Sequence, residues 1–60
     1  MKKKAILEKI EIAAARYHFS NDYTTEERFQ ALKETKGHVF ENLCNIFNLS
    51  DEEITYLYYL

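Results

Sequence analysis

The chain runs through sixty residues with no proline and a single glycine, Gly37. These two residue types are the strongest local interrupters of regular backbone, so few places remain where a helix must stop. The apolar residues of the first segment recur at a helical period: Ile6, Ile10, Ala13 and Tyr17 follow one another at steps of four, three and four, with Leu7 and Ala14 alongside. That is the stripe of an amphipathic helix. The pattern predicts an all-α fold with a first helix over residues 3–18, where His18 serves the negative end of the helix dipole.

The run "SNDYTTEE" comes next, and its Asn and Asp side chains can bond their own backbone in a turn. Thr24 precedes Glu27 by three residues, the reciprocal arrangement that caps a helix start, and Glu26 with Glu27 suits the positive end of the dipole. Beyond it Phe29, Leu32, Phe40, Leu43 and Phe47 fall within about 20° of two adjacent helical rows, interrupted only by Lys36. The phase survives Gly37, which predicts one continuous helix over residues 25–47. "KETKG" also carries the marks of a helix end, so a break at Gly37 is the competing arrangement. Asn48 can take a left-handed position, and Ser50 with Glu53 forms a second capping box opening a third helix over residues 51–60. The expected architecture is one domain, residues 1–60, built as a small three-helix bundle or as a helical hairpin with a short C-terminal helix.

A chain this short buries only about 60% of its unfolded surface, and its net stability is small without a staple. Cys44 is the only cysteine, so no internal disulfide is possible, and an unpaired thiol points to a reducing cytoplasm. With 47% apolar residues, five Tyr and four Phe to bury, the chain is expected to complete its interior by association, most simply as a homodimer.

The formal net charge of -2 disfavours a non-specific nucleic-acid binder, whose affinity rests on clustered Lys and Arg. Lys2, Lys3 and Lys4 form the one basic run, which suits a solubilising terminus. The segment after it carries Glu8, Lys9, Glu11 and Arg16, which rules it out as the uninterrupted apolar stretch of a secretion signal or membrane span. The abundance of Lys, Asn, Ile and Tyr hints at an AT-rich bacterial or phage genome.

Between residues 43 and 60 the chain resembles the generic helix-turn-helix pattern. Cys44 is the small residue of the first helix, Asn48 stands at the turn, Leu49 is the apolar plug, and Ile54 and Leu57 are the buried side of the second helix. A recognition helix touches bases and phosphates with its N-terminal residues, which here are Asp51, Glu52 and Glu53. No Lys or Arg follows Lys36. A DNA-binding reading therefore depends on Lys2, Lys3, Lys4, Arg28, Lys33 and Lys36 for phosphate contacts. The three acids are expected to cap a solvated first turn, or to face a basic partner.

The C-terminal helix has apolar residues on both sides. Ile54, Leu57 and Tyr58 are expected to face the core, while Tyr56, Tyr59 and Leu60 point away and mark an interface. The aromatic row Phe29, Phe40 and Phe47 is the second candidate for self-association or partner binding. Enzymatic chemistry has no recognisable seat: His38 and Cys44 are six residues apart, no spacing suits zinc or calcium, and no glycine-rich phosphate loop is present. No metal or cofactor is expected. The sequence thus predicts a non-enzymatic, self-associating module that binds another protein as a small cytoplasmic regulator or inhibitor. The alternative is a small dimeric transcriptional regulator of helix-turn-helix type.

Overall fold

The computed structural model describes residues 2–60 and contains four helices: α1 Lys2–Arg16, α2 Thr25–Glu34, α3 Gly37–Ile46 and α4 Asp51–Tyr58. No strand occurs among the described residues. The Cα radius of gyration is 10.6 Å, close to the roughly 10.4 Å of a close-packed chain of this length. α1 packs against both α2 and α4.

α1 ends two residues earlier than its stripe suggested. His18 adopts a left-handed conformation with φ 54°, and the Phe19 amide donates 3.0 Å back to the Ala14 carbonyl. This is a reversal that normally falls to glycine. It swings Phe19 back onto the core, where its ring meets Phe47 edge-on at 6.3 Å and stacks beside Tyr17 at 6.2 Å between centroids. The Arg28 guanidinium lies over the same ring at 5.5 Å and its NH2 group also donates to the Ser20 carbonyl. His18 therefore shapes the turn, and Tyr17, beyond the helix end, stays exposed.

The expected continuous helix over residues 25–47 is instead two helices. Thr35 and Lys36 are extended, and Gly37 has φ +61°. A left-handed residue cannot continue a right-handed helix, so the lysine and glycine punctuation prevails over the unbroken apolar phase. The Thr35 hydroxyl closes α2 by donating to the Leu32 carbonyl at 2.8 Å. The phase carries across the break because α2 and α3 turn the same faces to one interior.

Both expected capping boxes form. Thr24 Oγ1 accepts from the Glu27 amide at 3.1 Å while Glu27 Oε1 accepts from the Thr24 amide at 2.7 Å. Ser50 Oγ and Glu53 Oε1 repeat the exchange at 3.3 and 2.8 Å. Between α3 and α4, Asn48 is left-handed at φ 57°, and the Leu49 amide donates to the Cys44 carbonyl at 3.0 Å, the reversal that sets the corner.

The core consists of Ile6, Ile10 and Ala13 from α1, Phe29 and Leu32 from α2, Phe40 and Cys44 from α3, Phe47 at the end of α3 and Leu57 from α4. A Cβ at Gly37 would meet no atom within 4 Å, so substitution there is governed by backbone strain alone. Gly37→Ala is expected to lower unfolding free energy by about 1–2 kcal/mol, a fall in Tm of roughly 4–16 °C for a domain of this size. Gly37→Asn should recover part of it, because Asn tolerates the left-handed region. Thermal unfolding of the three proteins followed by circular dichroism checks the order.

Candidate interaction surface

Three of the residues expected at a self-association or partner interface lie inside the single chain. Phe29, Phe40 and Phe47 are buried in the chain's own interior, because splitting the long helix at Gly37 folds their row inward instead of leaving it along one exposed face. They are unavailable to a partner in the folded single copy. Glu53 is likewise removed from the acidic surface: it is 7% exposed and its Oε1 accepts from Lys9 Nζ at 2.6 Å while also closing the α4 capping box.

This pair fixes how α4 lies on α1. Burial pushes the Glu53 carboxyl upward, but hydrogen bonds from Lys9 and Ser50 and the Lys9 charge outweigh it, so the net displacement is below the ordinary value of 4.5. The orientation that results exchanges two tyrosines. α1 covers the side of α4 carrying Tyr56, which is half-buried against the core. Tyr58, expected inside, is 68% exposed. It lies between hollows lined by Lys36 and Gly37 and by Cys44 and Asn45, with the Phe40 ring 5.2 Å away between centroids.

The remaining expected interface and acidic residues, Leu60 excepted, come together. Asp51, Glu52, Thr55, Tyr56 and Tyr59 line one shallow groove of about 410 Å³ along α4, with Lys2 of α1 as its rim. Lys2 Nζ lies 3.9 Å from Glu52. Tyr59 is 86% exposed and Leu60 52% exposed. The basic run is also partly engaged: Lys3 pairs with Glu26 at 3.6 Å and sits over the Phe29 ring at 5.2 Å. Ion pairs this exposed contribute at most about 1 kcal/mol each.

A second apolar surface was not singled out by the spacing. Ile12, Arg16 and Tyr17 of the α1 end and Ile46 of α3 surround a depression of about 250 Å³. Ile12 lies off the core stripe, and its exposure follows from what covers α1 and not from α1 itself. A third hollow, about 330 Å³, is framed by Phe19, Tyr23, Arg28 and Leu43; the reversal at His18 creates it, and no local periodicity announces a left-handed histidine.

Of the candidate chemistry, His38 is fully exposed and lies 3.9 Å from Glu41, whereas Cys44 is buried. No hydrogen bond joins His38 and Cys44. Burial first, and the Glu41 charge second, push the Cys44 thiol above its ordinary value, so it is held as the neutral thiol. No group of three His, Cys, Asp or Glu side chains with metal-binding proximity occurs among the described residues. No helix there is long and apolar enough to cross a membrane. No family model, curated protein or solved structure matches the chain.

Because Glu53 is more acidic folded than unfolded, its stabilisation is complete above the unfolded value and is lost as pH falls through the folded one. Glu53→Gln is expected to lose about 1–2 kcal/mol at neutral pH, and the difference from wild type should shrink once the pH drops below the folded value. Urea titrations across that acidic range, comparing the two proteins at each pH, measure it.

Proposed function

We propose that the protein is a non-enzymatic interaction module, a small cytoplasmic regulator or inhibitor that self-associates and acts by binding another protein. The observation that carries this reading is the outward side of α4, where Tyr59 and half-buried Tyr56 share one groove with Asp51 and Glu52, flanked by exposed Tyr58 and Leu60. Tyrosine offers a large ring with a polar handle and little rotamer entropy to lose, which is why it concentrates in interfaces. A helix of eight residues with aromatic side chains on two sides is otherwise an exposed liability. The buried, unpaired Cys44 accords with a reducing compartment.

A dimeric DNA-binding regulator is the second reading, favoured by the corner itself: α3, the left-handed Asn48, the half-buried plug Leu49 and the capped start of α4 follow the helix-turn-helix order. Charge opposes it. The first turn of α4 holds Asp51, Glu52 and Glu53, and of the six candidate phosphate contacts Lys2, Lys3 and Arg28 are already engaged within the chain.

Replacing Tyr59 with a photo-crosslinking phenylalanine in the native cell is expected to give a covalent adduct to another protein, and the same probe at exposed Asn21 is expected to give none. Equal labelling from both positions, or none from either, removes the assignment. A gel-shift series at low salt is expected to show no retarded DNA, since a phosphate binder would shift strongly there and lose affinity steeply as salt rises.

A further inference from the structure

α1 carries a second row beside its core stripe: Ala5, Lys9, Ile12 and Arg16, at steps of four, three and four. Residues so spaced stand one above another on a helix. α4 covers the first half of this row, where Ala5 and Lys9 are half-buried and Lys9 donates to Glu53. It is too short to cover the rest. Its eight residues span about 12 Å, whereas the fifteen of α1 span about 22 Å. Ile12, 59% exposed, and Arg16 are left open with Ile46 beside them. Arg16 has no ion-pair partner among the described residues.

The α4 groove and this depression thus stand at the two ends of α1, the first between α4 and Lys2, the second between the end of α3 and Arg16. Both are partly apolar, and their charges are opposite: Asp51 and Glu52 at one end, Arg16 at the other. The whole chain repeats that division. All eight Lys and Arg residues and six of the ten acids precede Gly37, while the other four acids follow it, so the first part is net +2 and the second net -4.

The geometry points to a two-fold dimer in which the α4 groove of one copy covers Ile12 and Arg16 of a second copy, and the reverse. This rests on the interaction-module reading and names the occupant of its groove. A two-fold contact requires a surface complementary to itself, and two patches along α1, one acidic and aromatic and the other basic and apolar, meet that condition after a half-turn. In the dimer Arg16 of one copy faces Asp51 and Glu52 of the other, and the Tyr59 ring lies against Ile12. The second α4 continues over α1 where the first runs out.

Sedimentation equilibrium on the full chain, from about 1 μM to about 1 mM at low salt, is expected to approach twice the chain mass, with weakening as salt is raised. Arg16→Glu and Asp51→Arg should each raise the dissociation constant about tenfold or more. Arg16→Glu with Asp51→Arg in one chain should restore association, since the exchanged charges again meet across the two-fold. Ile12→Ser, at an exposed position away from the core, should weaken the dimer without altering any charge, and circular dichroism on each variant reports that the fold is intact. A single-copy mass throughout the wild-type range overturns the dimer. So does a dimer indifferent to Arg16→Glu and Ile12→Ser, or a double variant as weak as the single ones. A Tyr59 crosslink to another protein from a wild type that stays single-copy would leave the module reading standing alone, whereas a dimer obeying the charge exchange without any such crosslink would do the opposite.

Discussion

An eight-residue helix is far below the length at which helices hold together in water, so α4 exists only through what fastens it. One carboxylate oxygen carries much of that duty. Glu53 Oε1 accepts the Ser50 amide at 2.8 Å, closing the cap of its own helix, and the Lys9 ammonium at 2.6 Å, tying that helix to α1. A local signal and a contact forty-four residues apart in sequence converge on the same atom. With Leu57 buried below it, the pair sets the rotation of α4, and that rotation decides which tyrosines are covered and which are offered to the surroundings.

The elements whose cause lies within a few residues were legible in the sequence. Thr24 with Glu27 and Ser50 with Glu53 form the two caps as spaced, Asn48 takes the left-handed turn, and Ile6, Ile10 and Ala13 form the buried stripe. At Gly37 two sequence signals compete, the lysine and glycine marks of a helix end and an apolar phase that runs unbroken across it. Two helices that meet a common interior keep the same phase as one continuous helix, so phase does not distinguish the two arrangements. What remained illegible depends on tertiary position. His18 is left-handed although histidine rarely announces it, and Phe19 thereby reaches the core. Tyr56 and Tyr58 exchange environments because of where α1 meets α4, which nothing within the last helix encodes.

The burial of Phe29, Phe40 and Phe47 changes the physical ground for association. A single copy has a satisfied aromatic interior, with Phe19 and Phe47 edge to face and every buried side-chain nitrogen and oxygen among the described residues hydrogen-bonded. Association is therefore not needed to complete the core itself. What stays uncovered lies at the periphery: Ile12, Tyr17 and Ile46 at one place, Tyr58, Tyr59 and Leu60 at another. Contacts built from such residues, ringed by charges, resemble the smaller and more salt-sensitive class of interfaces between folded partners, and not the halves of a divided core.

The corner between α3 and α4 illustrates how far backbone geometry and chemistry can part. A left-handed residue, an apolar plug and a capped helix are what any tight connection between two short helices requires, because each satisfies backbone groups that the turn would leave unpaired. The same three features recur in DNA readers for that reason, and they carry no information about phosphate. The side chains do. Glu53 is spent on Lys9, Glu52 leans on Lys2, and Asp51 faces outward beside two tyrosines. Acidic and aromatic side chains of that kind attract cations and repel polyanions, so the corner follows a nucleic-acid reader in its backbone outline and departs from one in its charges.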